Sequence, residues 1–292
     1  MSEINWNELT QFEQQLRNGV SRTALDTHDV ELASLLLRIG RRRKSRGETA
    51  AVQQPTKKAV EPRTLLEIER VGSSVAILRI AKPSGMRFQA GQHVKLGLPA
   101  GGKNPYTIAS APSDPHLEFC IERVPGGRLS TQLFTLEAGA RLTLDTAPKG
   151  DFVLEPSAAM HLMVATVTGI SPFRSMLREA AAKNTLPSAR FVVLHGASFA
   201  DELVYRSELE ALAQRFPQHL RYIPSVSRPE DPRNQGFEGA TGRLTALAPG
   251  LAQELSQGAK LQVYACGHPE MVQGIHETLG ALGLPVASEV FD

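Results

Sequence analysis

Cysteine is scarce in this sequence, with only Cys120 and Cys266 among 292 residues. Two thiols so far apart are too few for a disulfide framework, a cysteine-ligated zinc site or an iron–sulfur cluster. The eight histidines show no HxxxH or comparable ligand spacing. We therefore expect no bound metal and no electron carrier built from cysteine.

An excess of charge and a long apolar run are also missing. The 32 lysines and arginines nearly balance the 30 aspartates and glutamates, which leaves a net charge of +2 and argues against a chain-wide nucleic-acid footprint. No apolar run is long enough to cross a bilayer, and the N-terminus does not resemble a signal peptide. We expect a cytoplasmic protein of two ordinary domains without a membrane span.

The first 62 residues differ from the rest of the chain. Apolar residues recur at helical intervals from Trp6 to Leu16 and again from Val30 to Leu37, which predicts a helical N-terminal extension over residues 1–46. Residues 47–62 are rich in Glu, Thr, Ala, Gln, Pro and Lys, a composition typical of a flexible linker.

Six basic residues are concentrated in the segment Arg38–Arg46. They suit a solvated helix end, where cations complement the helix dipole. They also suit, less favourably, a docking patch for an acidic protein partner, or a contact with a membrane surface or nucleic acid. The sequence leaves these interpretations open.

Residues 63–156 have the rhythm of short strands. Six segments of β-prone composition are separated by Gly, Pro or Ser: 64–71, 75–80, 93–98, 106–109, 117–124 and 141–145. Antiparallel strands at this spacing predict a small closed barrel.

Residues 157–292 instead alternate strands with helices. Strands are predicted over 160–165, 190–195, 220–226 and 260–265, and helices over 203–216, 249–256 and 269–282. This alternation predicts a parallel sheet wrapped by helices, with ligands beyond the carboxyl ends of the strands. The predicted fold class is therefore α+β with two domains, an antiparallel β-barrel followed by an α/β domain.

The stretch Leu162–Phe173 predicts a buried strand, a tight turn and the start of a helix. We expect Gly169 to adopt backbone angles that other residues avoid, and Ser171 and Pro172 to be the N-cap and first helical residue. Such a turn directs backbone N–H groups and the positive end of a helix at one point, which favours a phosphate. Many α/β proteins have this turn with nothing bound, so other motifs must support a ligand.

Three such motifs are present. Asn104–Ser110 places an aromatic and a hydroxyl at a barrel strand, and Gly126–Leu133 is a glycine turn entering a short helix. Tyr264–Met271 repeats the strand–turn–helix pattern with a thiol at the strand end. Taken singly, each also suits an ordinary role as a packing aromatic, a hairpin turn or a small apolar filler.

The order and spacing of these motifs resemble the ferredoxin–NADP reductase family over residues 63–292. Tyr106–Ser110 resembles its flavin motif Arg-x-Tyr-Ser/Thr, and Gly127–Leu133 its pyrophosphate motif. Thr168–Phe173 resembles its Gly-Thr-Gly-Ile-Ala-Pro loop, and Cys266–Pro269 its Cys-Gly-x-Pro motif. The resemblance implies FAD in the barrel domain and NADP(H), or less favourably NAD(H), in the α/β domain.

The resemblance also implies individual roles. Tyr106 would stack on the isoalloxazine, Thr107 would hydrogen-bond near its N5, and Glu289 would handle protons. The other implied FAD contacts are Asn104, Ile108, Gly127, Leu129, Ser130 and Thr131, with Phe291 covering the opposite flavin face. The implied dinucleotide contacts are Thr168, Gly169 and Cys266 at the nicotinamide, and Ser227 and Arg228, with Arg243 in support, at an adenosine 2′-phosphate.

Three positions depart from the family pattern. Asn104 replaces an arginine that faces the FAD pyrophosphate, a loss worth about 1.5–3 kcal/mol, and Lys103 is the nearest cation to replace it. Val167 replaces the first glycine of the nicotinamide loop, where a branched side chain restricts the backbone. Ser198 occupies a position often held by arginine.

We expect an FAD-dependent NAD(P)H oxidoreductase that passes electrons to a separate protein, such as a ferredoxin, a flavodoxin or an oxygenase component. The segment Arg38–Arg46 is where we expect an acidic acceptor to dock. Asn104, Val167 and the predicted N-terminal helices support an alternative, in which the chain is a flavin-binding subunit or assembly factor of a larger complex with weakened nicotinamide chemistry.

Overall fold

The computed structural model of the chain describes residues 62–257 and 260–290. The predicted N-terminal helices, the segment Arg38–Arg46, nearly all of the linker and Phe291 lie outside the described residues. From residue 62 onward the described residues belong to one unit that contains two sheets.

The first sheet is antiparallel and is formed by strands separated by tight turns. Its elements are β1 (Arg63–Val71), β2 (Val75–Ala81), β3 (His93–Gly97), β4 (Lys103–Thr107), β5 (His116–Glu122), α1 (Arg128–Phe134) and β6 (Arg141–Leu144). The strand order is β4-β3-β6-β1-β2-β5, and each neighbouring pair is antiparallel. Just after β4, the Ala109 N–H donates to the Glu118 carbonyl of β5 at 2.8 Å, which joins the two ends of the sheet. The predicted antiparallel barrel is confirmed.

The second sheet is parallel, as the alternation of strands and helices predicts. Its strands are β7 (Met160–Thr166), β8 (Arg190–Ala197), β9 (Leu220–Val226), β10 (Ala240–Thr241), β11 (Leu261–Gly267) and β12 (Val286–Val290). Its helices are α2 (Ser171–Ala182), α3 (Arg206–Arg215), α4 (Leu244–Leu255) and α5 (Pro269–Gly280). The strand order β10-β9-β8-β7-β11-β12 is parallel throughout.

Apolar side chains cover both faces of the parallel sheet. One cluster, which includes Phe173 and Met176 of α2, also contains Val75 and Ile77 of the barrel strand β2. The barrel is therefore packed against the α2 face of the parallel sheet, and burial of these shared apolar side chains stabilises the contact.

Several elements differ from the sequence-based prediction; β4 covers Lys103–Thr107 and not residues 106–109, and β10 was not predicted. Helix α4 begins at Leu244 and not at residue 249, so Pro249 lies inside the helix. Leu244, Ala248 and Ala252 are buried at helical spacing, and this apolar face outweighs the lost proline hydrogen bond. Strand β12 was not predicted, because VASEV mixes polar and apolar residues without a clear period.

A buried ion-pair network joins the barrel to α2. Glu118 on β5 is 1% exposed and pairs with Arg174 of α2 and Arg79 of β2, each at 2.8 Å. Arg174 also donates to the Ala109 carbonyl at 2.9 Å and to Glu208 of α3 at 2.8 Å. Burial opposes ionisation of Glu118, but the two guanidinium groups outweigh it and hold the pKa of the carboxyl below its ordinary value.

None of the helices among residues 62–257 and 260–290 is long and apolar enough to cross a membrane. The cytoplasmic location stays a prediction.

Replacing Arg174 with methionine should lower the free energy of unfolding by about 3 kcal/mol, because it leaves Glu118 buried without its main cation. The matched control is Arg221→Met, since Arg221 pairs with Glu254 where both side chains are more than half exposed. That change should cost at most about 1 kcal/mol. Urea unfolding of both variants measures the difference, and equal losses would contradict the importance of the buried network.

Candidate active site

The turn between β7 and α2 is packed tightly against β11. A Cβ atom built on Gly169 would lie 2.2 Å from the Cys266 carbonyl oxygen, so only glycine permits this approach. The special backbone angle expected at Gly169 is not there, since its φ is not positive. The expected N-cap is also shifted, because Ile170 is the N-cap and Ser171 is the first helical residue, with its Oγ donating to the Thr168 carbonyl at 2.8 Å.

The unusual angle lies at Val167, whose φ is +45°. This left-handed region suits glycine and disfavours a β-branched side chain, at a cost of about 1–3 kcal/mol. The family's glycine at this position thus has a physical reason. In this chain residue 167 has the left-handed geometry, although valine stands there and not glycine, which adopts that geometry freely.

An open cleft of about 1100 Å³ lies at the carboxyl ends of the parallel strands. The lining residues that follow or end these strands include Thr168 after β7, Ser198 after β8, Ser227 and Arg228 after β9, and Gly267 and His268 at the end of β11. The cleft is where a parallel sheet binds its ligands, and it brings together four of the predicted dinucleotide residues, Thr168, Ser227, Arg228 and Arg243, whereas the buried Gly169 and Cys266 do not line it.

The loops after β8 and β9 are held together by Asn234, which the sequence analysis missed. Its Nδ2 donates to the carbonyls of Arg228 at 2.7 Å and Ser198 at 3.0 Å, and its Oδ1 accepts from the Ala200 N–H at 2.8 Å. Asn234 is buried, so these bonds are shielded from water. No local motif marks this residue, because its partners are distant in sequence.

A carboxylate site forms where the barrel meets the parallel sheet. Glu289 on β12 is paired in register with Cys266 on β11. From the barrel, the Thr107 hydroxyl donates to Glu289 Oε2 at 3.2 Å, and His93 Nδ1 lies 3.2 Å from Oε1. The three residues predicted to be catalytic, Thr107, Cys266 and Glu289, therefore meet. His93 was missed, because nothing beyond its place at the start of the predicted strand 93–98 marks it.

Burial sets the protonation of this site. Burial raises the pKa of Glu289 above its ordinary value, while His93 and Thr107 act in the opposite direction. Burial, and then the Glu289 charge, also raises the pKa of the Cys266 thiol. Cys266 is therefore a neutral thiol, and Glu289, whose pKa is raised, is the group of this site that can take up and release a proton.

The predicted flavin residues surround β4 and the turn before α1. Tyr106 is half-buried, and burial raises its pKa to about 12, which keeps the phenol neutral. Ile108 lies in the barrel core and Leu129 packs against the same core. Asn104 is exposed. The Nζ of Lys103 pairs with Asp145 at 2.7 Å, so this lysine is not a free cation that could take the place of the family's arginine.

The glycine turn is closed by Ser130. Its Oγ accepts from the Val124 N–H at 3.2 Å and donates to the Gly127 carbonyl at 3.3 Å. Gly127 is the N-cap of α1, and Thr131 is exposed on that helix. The Ser130 side chain thus holds the shape of the turn, and backbone N–H groups at the start of α1 are candidate donors for a phosphate.

These residues fit FAD and a nicotinamide dinucleotide. A Cβ on Gly267 would lie 2.2 Å from Thr166 Oγ1, so glycine lets the backbone at the end of β11 lie directly against β7 at the cleft. Arg228 and Arg243 supply guanidinium donors for phosphates. Glu122 and Glu202 also line the cleft, so we expect phosphates on the arginine side.

Among the described residues, no group of three or more His, Cys, Asp or Glu is arranged to hold a metal.

Comparison with known proteins agrees with this geometry. Residues 62–154 match the family model described as an oxidoreductase FAD-binding domain, and residues 163–277 match the one described as an oxidoreductase NAD-binding domain. The fold and the two domains define an FAD-dependent oxidoreductase that uses a nicotinamide dinucleotide.

Individual relatives narrow the class. Ferredoxin–NADP reductase B of Sorangium cellulosum (strain So ce56) is 40% identical over 207 residues, which are 68% of this chain and 82% of that protein. The 2-halobenzoate 1,2-dioxygenase electron transfer component of Burkholderia cepacia is 29% identical over 77% of this chain and 65% of its own length. The crystal structure of a ferredoxin NADP+ reductase from Neisseria gonorrhoeae with bound FAD and NADP aligns with a TM-score of 0.66 at 23% identity, covering 78% of this chain and 97% of that one. The chain belongs to the ferredoxin–NADP reductase family.

Val167→Gly should be more stable than Val167→Ala by about 1 kcal/mol, because glycine alone relieves the positive φ. The order should reverse at Val71, a half-buried residue of β1 whose φ is not positive. There the glycine variant should be less stable than the alanine variant by about 0.5–1 kcal/mol. Chemical denaturation of the four variants tests the strain, and the same order at both positions would disprove it.

Proposed function

We propose that this protein is an FAD-dependent reductase that oxidises NADPH and passes electrons singly to a separate protein acceptor. The observation that carries the proposal is the meeting of Thr107, Cys266 and Glu289, which come from both sheets, beside the dinucleotide cleft. Bound FAD supplies the redox chemistry, since flavins accept two electrons from a reduced nicotinamide and release them one at a time.

The protein side chains orient and shield the reacting groups. Tyr106 offers an aromatic face at the barrel surface, and Thr107 offers a hydroxyl whose direction is fixed by Glu289. Gly169 and the neutral thiol of Cys266 are both buried, next in sequence to Thr168 and Gly267 of the cleft wall, so they keep the wall behind the nicotinamide compact and uncharged. Glu289 exchanges the proton of the flavin reaction. His93, which contacts Glu289 and is a quarter exposed, connects the carboxyl group with solvent.

The preference for NADPH is proposed from Ser227 and Arg228, with Arg243 in support. All three line the same cleft, and a guanidinium matches a phosphate dianion in charge and geometry. Ser198 supplies no such charge from the neighbouring strand, so Arg228 carries most of the discrimination.

A separate protein acceptor is proposed because the chain has too few cysteines for an iron–sulfur cluster of its own. The relatives named above include a ferredoxin–NADP reductase and an electron transfer component of a dioxygenase. We propose a ferredoxin, a flavodoxin or an oxygenase component as acceptor. Docking through Arg38–Arg46 stays a prediction, since that segment is outside the described residues.

The direct test is anaerobic mixing of the FAD-loaded protein with NADPH and, separately, NADH. We expect rapid bleaching of the flavin band, with NADPH effective at lower concentration. The strain at Val167 and the absence of arginine at Ser198 favour a second candidate, a flavin-binding subunit or assembly factor with weak nicotinamide chemistry. An oxidised flavin that persists with both nucleotides would support that candidate and refute the reductase.

Arg228→Ala should raise the KM for NADPH by about tenfold to a hundredfold, since it removes a charge-assisted contact to the 2′-phosphate. The KM for NADH, which lacks that phosphate, should change little. Arg221→Ala, at the other end of β9, is the matched control and should alter neither value. Equal weakening of NADPH and NADH by Arg228→Ala would disprove the assigned role.

A further inference from the structure

The strained turn at Val167 is connected to a buried polar pair that the proposed chemistry does not use. His195 on β8 is fully buried, and its Nε2 lies 3.0 Å from the Val167 carbonyl. Its Nδ1 lies 3.0 Å from the Tyr222 hydroxyl on β9. A backbone in a sparsely populated region persists only when surrounding contacts fix it, and this pair supplies such contacts.

The bonding roles in this chain follow from chemistry. A carbonyl only accepts, so Nε2 of His195 must carry the proton and donate to Val167. In a neutral imidazole Nδ1 then accepts, and the Tyr222 hydroxyl donates to it. Burial lowers the pKa of His195 to about 4, so the imidazole is neutral at pH 7 and this arrangement is maintained.

The bond to Val167 orients the peptide that follows it. A trans peptide is planar, and its C=O and N–H point in opposite directions. Because the Val167 carbonyl points towards buried His195, the Thr168 N–H points away from it. Val167 and Thr168 both line the dinucleotide cleft.

We propose that His195 and Tyr222 are positioning residues that hold Val167 in its left-handed conformation and thereby present the Thr168 N–H to the anionic dinucleotide. The identity of that ligand rests on the proposed function, whereas the support of the turn does not. Glycine adopts this conformation freely, so the Val167→Gly variant would depend less on the pair. An ordinary core histidine would show no such dependence on residue 167.

The test is a double-mutant comparison in the FAD-loaded protein, with NADP+ binding measured by the flavin difference spectrum. His195→Leu should weaken NADP+ binding about tenfold in the native background, because it removes the side-chain donor to the carbonyl of the strained residue. In the Val167→Gly background the same change should weaken binding by less than about twofold. Equal losses in both backgrounds, or no loss in either, would overturn the proposal.

Two conservative variants keep the test decisive if His195→Leu does not fold. Tyr222→Phe removes only the hydroxyl and should reproduce part of the loss. His195→Gln retains an N–H donor in place of Nε2 and should restore binding relative to leucine. A glutamine variant as weak as the leucine variant, in a folded protein, would contradict the hydrogen-bond role.

His161 is the matched control. It is another buried histidine of the same sheet, near the start of β7 and stacked on Phe191 at 4.7 Å, far along the strand from the turn. His161→Leu should show no coupling to Val167→Gly. If the wild-type protein binds no NADP+, the proposed function fails, and the coupling between residues 167 and 195 in urea unfolding then decides this inference: a coupling supports it and additive effects refute it.

Discussion

The structure depends on one contact, by which helix α2 holds the backbone of the flavin motif. Arg174 donates to the Ala109 carbonyl at 2.9 Å, and Ser175 Oγ donates to the Ser110 carbonyl at 2.6 Å. The same helix begins at the turn that lines the dinucleotide cleft. A rigid helix therefore fixes the separation between the two halves of the site, and the Glu118 carboxylate makes burial of the Arg174 charge tolerable.

A second contact between the two sheets forms at the reacting end of the site. Thr107 and His93 from the barrel both contact Glu289. Glu289 lies on β12, and its pairing with β11 places it beside Cys266. The Glu289 carboxylate accordingly has two roles, since it links the two sheets by its contacts and can take up or release a proton. Burial where the sheets meet raises the pKa of Glu289, while the contacts with His93 and Thr107 lower it, so the same surroundings hold the carboxyl in place and set its pKa.

Local pattern predicted most of the fold, and it predicted only part of the site. Most strands of both sheets follow from β-prone segments and their punctuation, and the motifs named Thr107, which lies beside Glu289, and Thr168 and Arg228, which line the cleft. Pairing between distant residues is not visible in a local pattern, which is why Asn234 and His93 were missed. The positive φ was expected at Gly169 and occurs at Val167, because glycine at position 169 serves close packing on β11 and not an unusual backbone angle.

The most direct test of this account is a crystal structure of the FAD-loaded protein with NADP+. The account predicts an isoalloxazine against Tyr106, with Thr107 and Glu289 at its edge, a dinucleotide over Gly169 and Cys266, and the bond from Arg174 to the Ala109 carbonyl intact. A flavin bound elsewhere, or a barrel separated from α2 with that bond lost, would contradict it.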